Sequence, residues 1–286
     1  MSDFVTRFAP SPSGLLHKGH AYSALYAFAA AQKAGGCFIL RIEDIDTTRC
    51  RAPFERAIIE DLHWLGLRWE EPVRRQSDHF DDYKCALKKL ENLGVLYRCF
   101  LTRREVLSEI VRAPHGVGEV YQGPDTPMSQ NEEAKWLARG EAYAWRLSLR
   151  AARDVLGPRW AQLQFIEDGT GPNGEHGKIH AQPQRLGDVV LARKDIGTSY
   201  HLAVTHDDAL QGITHIIRGQ DLFESTHIHV LIQALLDMPT PTYRHHRLLL
   251  DETGKRLAKR DFASTLQDFR QSGQSAVALQ ESLRSL

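Results

Sequence analysis

The chain has 286 residues, 42% hydrophobic and 25% charged, an ordinary mixture for a folded protein of one or two domains. Thirty-six Lys and Arg balance thirty-six Asp and Glu, which excludes the uniformly basic body of a general nucleic-acid binder and confines any RNA contact to a local patch. No apolar run approaches the ~20 residues of a membrane helix, and "MSDFVTRFAP" lacks the pattern of a signal peptide, so a soluble cytoplasmic protein is expected.

In chain order, "FVTRFAP" (4–10) reads as a short buried strand broken by Pro10. "AYSALYAFAAAQKAGG" (21–36) reads as an alanine-rich helix closed by Gly35 and Gly36, and "CFILRIED" (37–44) as a second apolar strand. Strand, turn, helix and strand in this space predict a parallel βαβ unit. Amphipathic helices are expected around 51–66 and 78–93, where Ile58, Ile59, Leu62 and Leu65 repeat near helical period. From about 99 to 185 the chain turns rich in Gly and Pro around the strand-like "AYAWRLSL" (142–149). Regular alternation returns from 186, with "GITHIIRG" (212–219) and the apolar helix "DLFESTHIHVLIQALL" (221–236). The expected fold is α/β: a Rossmann-like parallel-sheet core (1–98 and 186–240), split by an inserted α+β subdomain (99–185) and followed by a short, mainly helical C-terminal segment (241–286). Cys37, Cys50, Cys85 and Cys99 have no CxxC spacing, which suits free thiols better than a disulfide framework.

The first turn, "RFAPSPSGLLHKGH" (7–20), carries the chemistry. In a parallel sheet it lies at the carboxyl end of a strand, where such folds bind ligands. His17 and His20 fall where the next helix begins, beside unpaired N–H groups and the positive end of the helix dipole, a seat for phosphate. Taken alone, two histidines three apart serve equally as helix caps or surface residues. No third and fourth ligand completes a metal site. His227 with His229, and His245 with His246, read as packing or surface residues. A basic stretch, "YRHHRLLLDETGKRLAKR" (243–260), is the best local RNA candidate, with Arg244 and Arg247 as its proposed contacts.

Taken whole, residues 7–20 resemble the signature of class I aminoacyl-tRNA synthetases of the glutamate group, with His17-Lys18-Gly19-His20 in the place of the HIGH motif. "LRIEDIDTTR" (40–49) and "SYHLAVTHDDALQGITHIIRGQDL" (199–222) resemble the group's second and third blocks, and "KRLAKR" (255–260) its KMSKS-type loop. The resemblance implies that an amino-acid carboxylate attacks the α-phosphorus of ATP, with Mg²⁺ on the nucleotide, and that the acyl group then moves to RNA. It assigns ATP to His17, Gly19, His20 and Lys259, with His17, His20 and Lys259 as the catalytic set. It assigns L-glutamate to Arg7, Ala9, Ser11, Glu43, Tyr200 and Arg218: two cations for two carboxylates and one acid for the ammonium.

Members of the group that charge tRNA ends continue into a helical anticodon-binding domain, whereas only residues 261–286 follow Arg260 here, so that domain is expected to be absent. The pattern resembles the group's stand-alone catalytic cores. They activate glutamate without tRNA and pass it to the cyclopentenediol of queuosine at the wobble position of tRNA(Asp), and a monomer is expected. Two departures stand out. The group's zinc site, CxC followed by YxxxC, reads Cys99, Leu101, Tyr121 and Asp125, two thiols short, so no zinc is expected. In the KMSKS-type loop Arg256 replaces the first lysine and Ala258 the serine. Three other readings stay open: a truncated enzyme charging the 3′ end of a tRNA, a non-catalytic tRNA-binding paralogue, and a small-molecule nucleotidylyltransferase, which also uses an HxGH turn.

Overall fold

A computed structural model of the chain describes residues 3–112, 120–124, 126, 128–249 and 264–284. β1 (Val5–Phe8) and β2 (Cys37–Ile42) pair in parallel, with Val5 opposite Cys37 and Phe8 opposite Leu40. β2 pairs in parallel with β3 (Glu70–Arg75) on its other side. The connecting helix α1 (Lys18–Ala34) buries Ala21, Ala24, Ala27 and Ala31 and packs on both strands. Methyl side chains let it lie close to the sheet while keeping the best helix propensity. Gly35 ends the helix in the left-handed region at φ 61°, its N–H donating to the carbonyls of Ala31 and Gln32. At Gly36 a Cβ would stand 2.1 Å from the Phe4 carbonyl oxygen, so only glycine admits this closeness to β1.

A second sheet has the order β7-β6-β10-β9, formed by β6 (Gln164–Glu167), β7 (Gly177–His180), β9 (His215–Gly219) and β10 (Thr242–His246). Its β10 is parallel to β9 and to β6, and β7 closes the edge antiparallel to β6. Thr214 ties it to the first sheet: its backbone N–H donates to Val5 O (3.0 Å) and its hydroxyl accepts from Val5 N (2.9 Å). A third, antiparallel sheet joins β4 (Leu96–Cys99), β5 (Ala144–Leu147) and β8 (Val190–Ala192).

Helices α2 (Ala52–Trp64) and α3 (Phe80–Asn92) fall within the expected spans. α4 (Arg103–Arg112), α5 (Gln130–Ala138) and α6 (Leu149–Leu156) accompany the third sheet in sequence. α7 (Tyr200–Leu210) and α8 (Phe223–Leu235) flank β9. The strand pairings cross the limits that composition suggested. β6 and β7 come from within 99–185, and β10 from beyond 240, yet all three belong to the β9 sheet. β8, placed beyond the insertion, pairs instead with β5. Hydrogen-bonded ladders decide membership of a sheet, and Gly and Pro content reports only where the chain turns.

After the segment that is not described, α9 (Leu266–Gln271) and α10 (Ala276–Arg284) return to the first sheet. Leu266, Leu279 and Leu283 share a core with Leu40, Ile42, Ile58 and Leu62, each contributing roughly 1.5–3 kcal/mol by burial. None of the four cysteines is in a disulfide, and among the described residues no helix is long and apolar enough to cross a membrane.

Candidate active site

At the carboxyl ends of β1 and β9 a cavity of about 250 Å³ opens, and its wall gathers Arg7, Ala9, His17, Gly19, His20, Glu43, Tyr200, Arg218 and Arg247. Nine of the residues singled out from the sequence thus share one space. Ser11 is exposed and lies off the wall, Arg244 points to an ion pair with Asp168, and Lys259 lies outside the described residues with Arg256 and Ala258. The wall also carries His246, read from the sequence as packing or surface, and three residues that sequence reasoning passed over: Tyr22, Ser23 and Asp221. Of these only Asp221 had a signal, its place inside the third resembling block.

The two histidines of the HxGH turn are both caps and cavity residues. His17 is the N-cap of α1, and its Nδ1 accepts from the backbone N–H of Gly19 (3.1 Å). His20, three residues on, accepts at Nδ1 from the backbone N–H of His17 (3.2 Å), so the pair forms a reciprocal capping box. Their rings lie 3.9 Å apart between centroids. With each Nδ1 engaged as an acceptor, a neutral ring carries its proton on Nε2, the nitrogen through which it donates. The capping reading and the ligand reading are therefore two ends of one imidazole. The turn is braced from the far end of the chain: Leu266 N donates to Leu16 O (2.8 Å), Thr265 forms a β-bridge with His17, and Lys18 Nζ sits 5.0 Å over the Phe269 ring.

The same wall holds two arginines. Arg7, 5% exposed, grips Asp208 with Nε (2.9 Å) and NH2 (3.3 Å). The same carboxylate meets Arg41 NH2 at 2.9 Å, and Arg41 NH2 also reaches Glu43 Oε1 at 3.1 Å. Burial works to raise Asp208, but Arg7 and Arg41 together hold its carboxyl below the usual range. Burial raises Glu43 against the pull of Arg41 and Arg7, which leaves it readier to take a proton or a cation. Burial also raises the Tyr200 hydroxyl, keeping it protonated. Asp208 and Arg41 were not singled out from the sequence, because a buried counter-ion on α7 looks like any helical acid until it is packed.

Arg218 on β9 is held differently. Its NH2 donates to Thr226 Oγ1 (2.7 Å), its Nε to His245 Nε2 (3.1 Å) and its NH1 to Tyr200 OH (3.4 Å). His245 and His246, read as packing or surface residues, are buried and point to different partners: His245 to Glu167 and Arg218, His246 Nε2 to Ser23 Oγ (2.6 Å). His227 and His229 on α8 are buried as well.

The positions that match the family's zinc ligands do not fit the ion. Cys99 lies buried in β4 and supplies a thiol, Leu101 has no donor, and the Tyr121 ring packs 4.6 Å under the Arg146 guanidinium. Asp125 lies outside the described residues, among which no group of three His, Cys, Asp or Glu side chains converges.

Residues 3–286 match the family described as tRNA synthetases class I (E and Q), catalytic domain. The chain is 43% identical over 277 residues to the Glutamyl-Q tRNA(Asp) synthetase of Rhodobacter capsulatus, covering 95% of this chain and 96% of that protein. It is 35% identical over 281 residues to the Glutamate--tRNA ligase of Prochlorococcus marinus strain MIT 9215, covering 96% of this chain but 56% of that enzyme. In three dimensions it superposes on a glutamate tRNA ligase from Elizabethkingia meningosepticum, solved in complex with its amino acid. That match has a TM-score of 0.73 and 29% identity, over 91% of this chain and 52% of the other. The chain belongs to the class I tRNA synthetases of the E and Q type, through their catalytic domain.

Proposed function

We propose that the protein activates L-glutamate with ATP, without tRNA, and transfers it to the cyclopentenediol of queuosine at the wobble position of tRNA(Asp). The observation that carries the reading is the composition of a single cavity wall, which gathers the histidine pair of the HxGH turn, two arginines and an acid. The 43% identity to a Glutamyl-Q tRNA(Asp) synthetase across nearly the whole of both chains supports the choice of acceptor.

In this mechanism Arg7 and Arg218 receive the two carboxylates of glutamate, Glu43 its ammonium, and the Tyr200 hydroxyl and Ala9 backbone shape the pocket, with Ser11 at its approach. The attacking carboxylate oxygen forms a bond to the α-phosphorus as the bond to the pyrophosphate oxygen breaks. Little covalent work falls to the protein, so positioning and stabilisation of charge carry the rate. His17 and His20 donate from Nε2 to phosphate oxygens, Gly19 lets the nucleotide approach the helix start, and Lys259 neutralises the departing pyrophosphate. Mg²⁺ accompanying ATP would supply charge neutralisation on the phosphates. Arg247, exposed on the cavity wall, serves the nucleotide end, and Arg244 on β10 serves RNA phosphates. The protein acts as a monomer in the cytoplasm.

The test is ATP–pyrophosphate exchange with glutamate and no RNA, against aspartate and glutamine, followed by transfer to tRNA(Asp) with and without queuosine. Exchange without RNA and transfer only to the queuosine-bearing tRNA are expected. The 35% identity to a Glutamate--tRNA ligase favours the second reading, an enzyme charging the 3′ end of tRNA. Transfer to queuosine-free tRNA selects it.

A further inference from the structure

Arg7 and Arg218 reach one cavity but are held by opposite chemistry. The charge of Arg7 is answered by Asp208 through a two-point fork. Arg218, 4% exposed, is surrounded by neutral groups: Thr226 Oγ1, Tyr200 OH, His245 Nε2 and, at 3.4 Å, His229 Nδ1. The Tyr243 ring covers it 5.4 Å from the guanidinium carbon. Among the described residues no carboxylate lies within ion-pair distance of Arg218. A buried guanidinium without a counter-ion is costly, and the cost is relieved by an anion delivered to it.

The shell is set by a further layer. Because His245 accepts from Arg218 at Nε2, its proton must sit on Nδ1, and Nδ1 faces Glu167 Oε2 at 2.5 Å. Glu167 is fully buried, and its Oε1 accepts from the backbone N–H groups of His245 and Gly169, both at 2.9 Å. The carboxylate is thus pinned by main chain and fixes one tautomer of the imidazole. His229 repeats the logic: its Nδ1 faces Arg218, so its Nε2 proton points to His201 Nδ1 at 3.2 Å.

We propose that Glu167 and His245 are positioning residues for substrate selection: the carboxylate fixes the imidazole tautomer, the imidazole aims the Arg218 fork, and the neutral shell reserves its charge for a substrate carboxylate. This rests on the glutamate-activating reading above. Glu167 stands one imidazole away from the guanidinium, so it orients the cation without occupying the face that the substrate takes. Glutamine, offering an amide where glutamate offers a carboxylate, leaves the buried charge unanswered.

The experiment is pyrophosphate exchange by the full chain, measuring KM and kcat for glutamate and KM for ATP. Glu167→Gln is nearly isosteric, but its amide still accepts from the two backbone N–H groups only by turning N–H toward His245. That forces the imidazole proton onto Nε2, against the Arg218 Nε–H. The expected result is a rise of about 10- to 100-fold in KM for glutamate, the scale of a lost hydrogen bond to a charged group, with KM for ATP and kcat within about 3-fold of wild type. His245→Phe behaves like Glu167→Gln. His245→Gln, whose carbonyl can face Arg218 while its amide faces Glu167, restores KM to within about 3-fold. If His245→Phe does not fold, Glu167→Gln and His245→Gln carry the comparison by themselves. A folded Glu167→Gln enzyme with unchanged KM for glutamate overturns the relay, and so does a parallel loss for glutamate and ATP. Wild-type enzyme that exchanges nothing with glutamate overturns the glutamate reading and the relay together.

Discussion

Asp208→Asn offers the most direct check on how the cavity floor is built. One carboxylate, 3% exposed, serves two buried guanidiniums: Oδ1 lies 2.9 Å from both Arg7 Nε and Arg41 NH2, and Oδ2 lies 3.3 Å from Arg7 NH2. An amide can keep the Oδ1 contacts only by setting its own N–H₂ against the N–H of Arg7. Removing one partner of a buried pair costs about 3–5 kcal/mol. With two cations left short, a loss of about 4 kcal/mol is expected, since Arg41 retains Glu43 and Gln211 as partners. At about 2–4 °C per kcal/mol, Tm should fall by roughly 10 °C. Urea unfolding with an unchanged m-value gives the free energy, and the same variant should raise KM for glutamate as the Arg7 fork loosens. A variant within about 1 kcal/mol of wild type would refute the assignment of Asp208 as the shared counter-ion.

Gly19→Ala should separate activity from stability: the new Cβ stands 2.9 Å from His17 Cε1 and 3.1 Å from Nδ1, inside the usual ~3.5–4.0 Å contact, so the ring must yield. Exchange should drop about 10- to 100-fold while alanine's helix preference keeps stability within about 1 kcal/mol, and equal losses in both would contradict this. His227 is 1% exposed, and burial with the nearby Arg185 lowers its pKa from 6.5 to about 4. Below pH 6.5 the unfolded chain takes the proton before the folded one does, so stability is lost as pH falls toward 4, by up to about 3 kcal/mol from this group. His227→Asn should flatten that slope in urea melts between pH 7.5 and 4.5, and a wild-type-like slope would count against it. Arg247→Glu, on the cavity wall, should impair exchange itself, whereas Arg244→Glu should spare exchange and weaken only transfer to RNA. The reverse order would move the RNA contact to Arg247.

What the sequence determined by itself is what short-range chemistry controls. Alanine spacing, the capping histidines and the Gly35 stop specify β1, α1 and β2 within about forty residues, and with them the place of His17 and His20 at the start of α1, of Arg7 in β1 and of Glu43 just past β2. The third block carried Tyr200 and Arg218 onto neighbouring elements, so the cavity wall was largely legible as a list of residues. The tertiary structure decided the partners. Arg7 meets Asp208 across 201 residues, and Glu167 meets His245 across 78. Neither separation leaves a periodic trace, because a counter-ion is defined by proximity and burial and not by spacing. Likewise the four residues of β6, "QFIE", have too weak a pattern to announce a core strand. Pairing with β10 brings Glu167 to His245, where its Oε1 accepts from the His245 backbone N–H and its Oε2 faces the imidazole Nδ1.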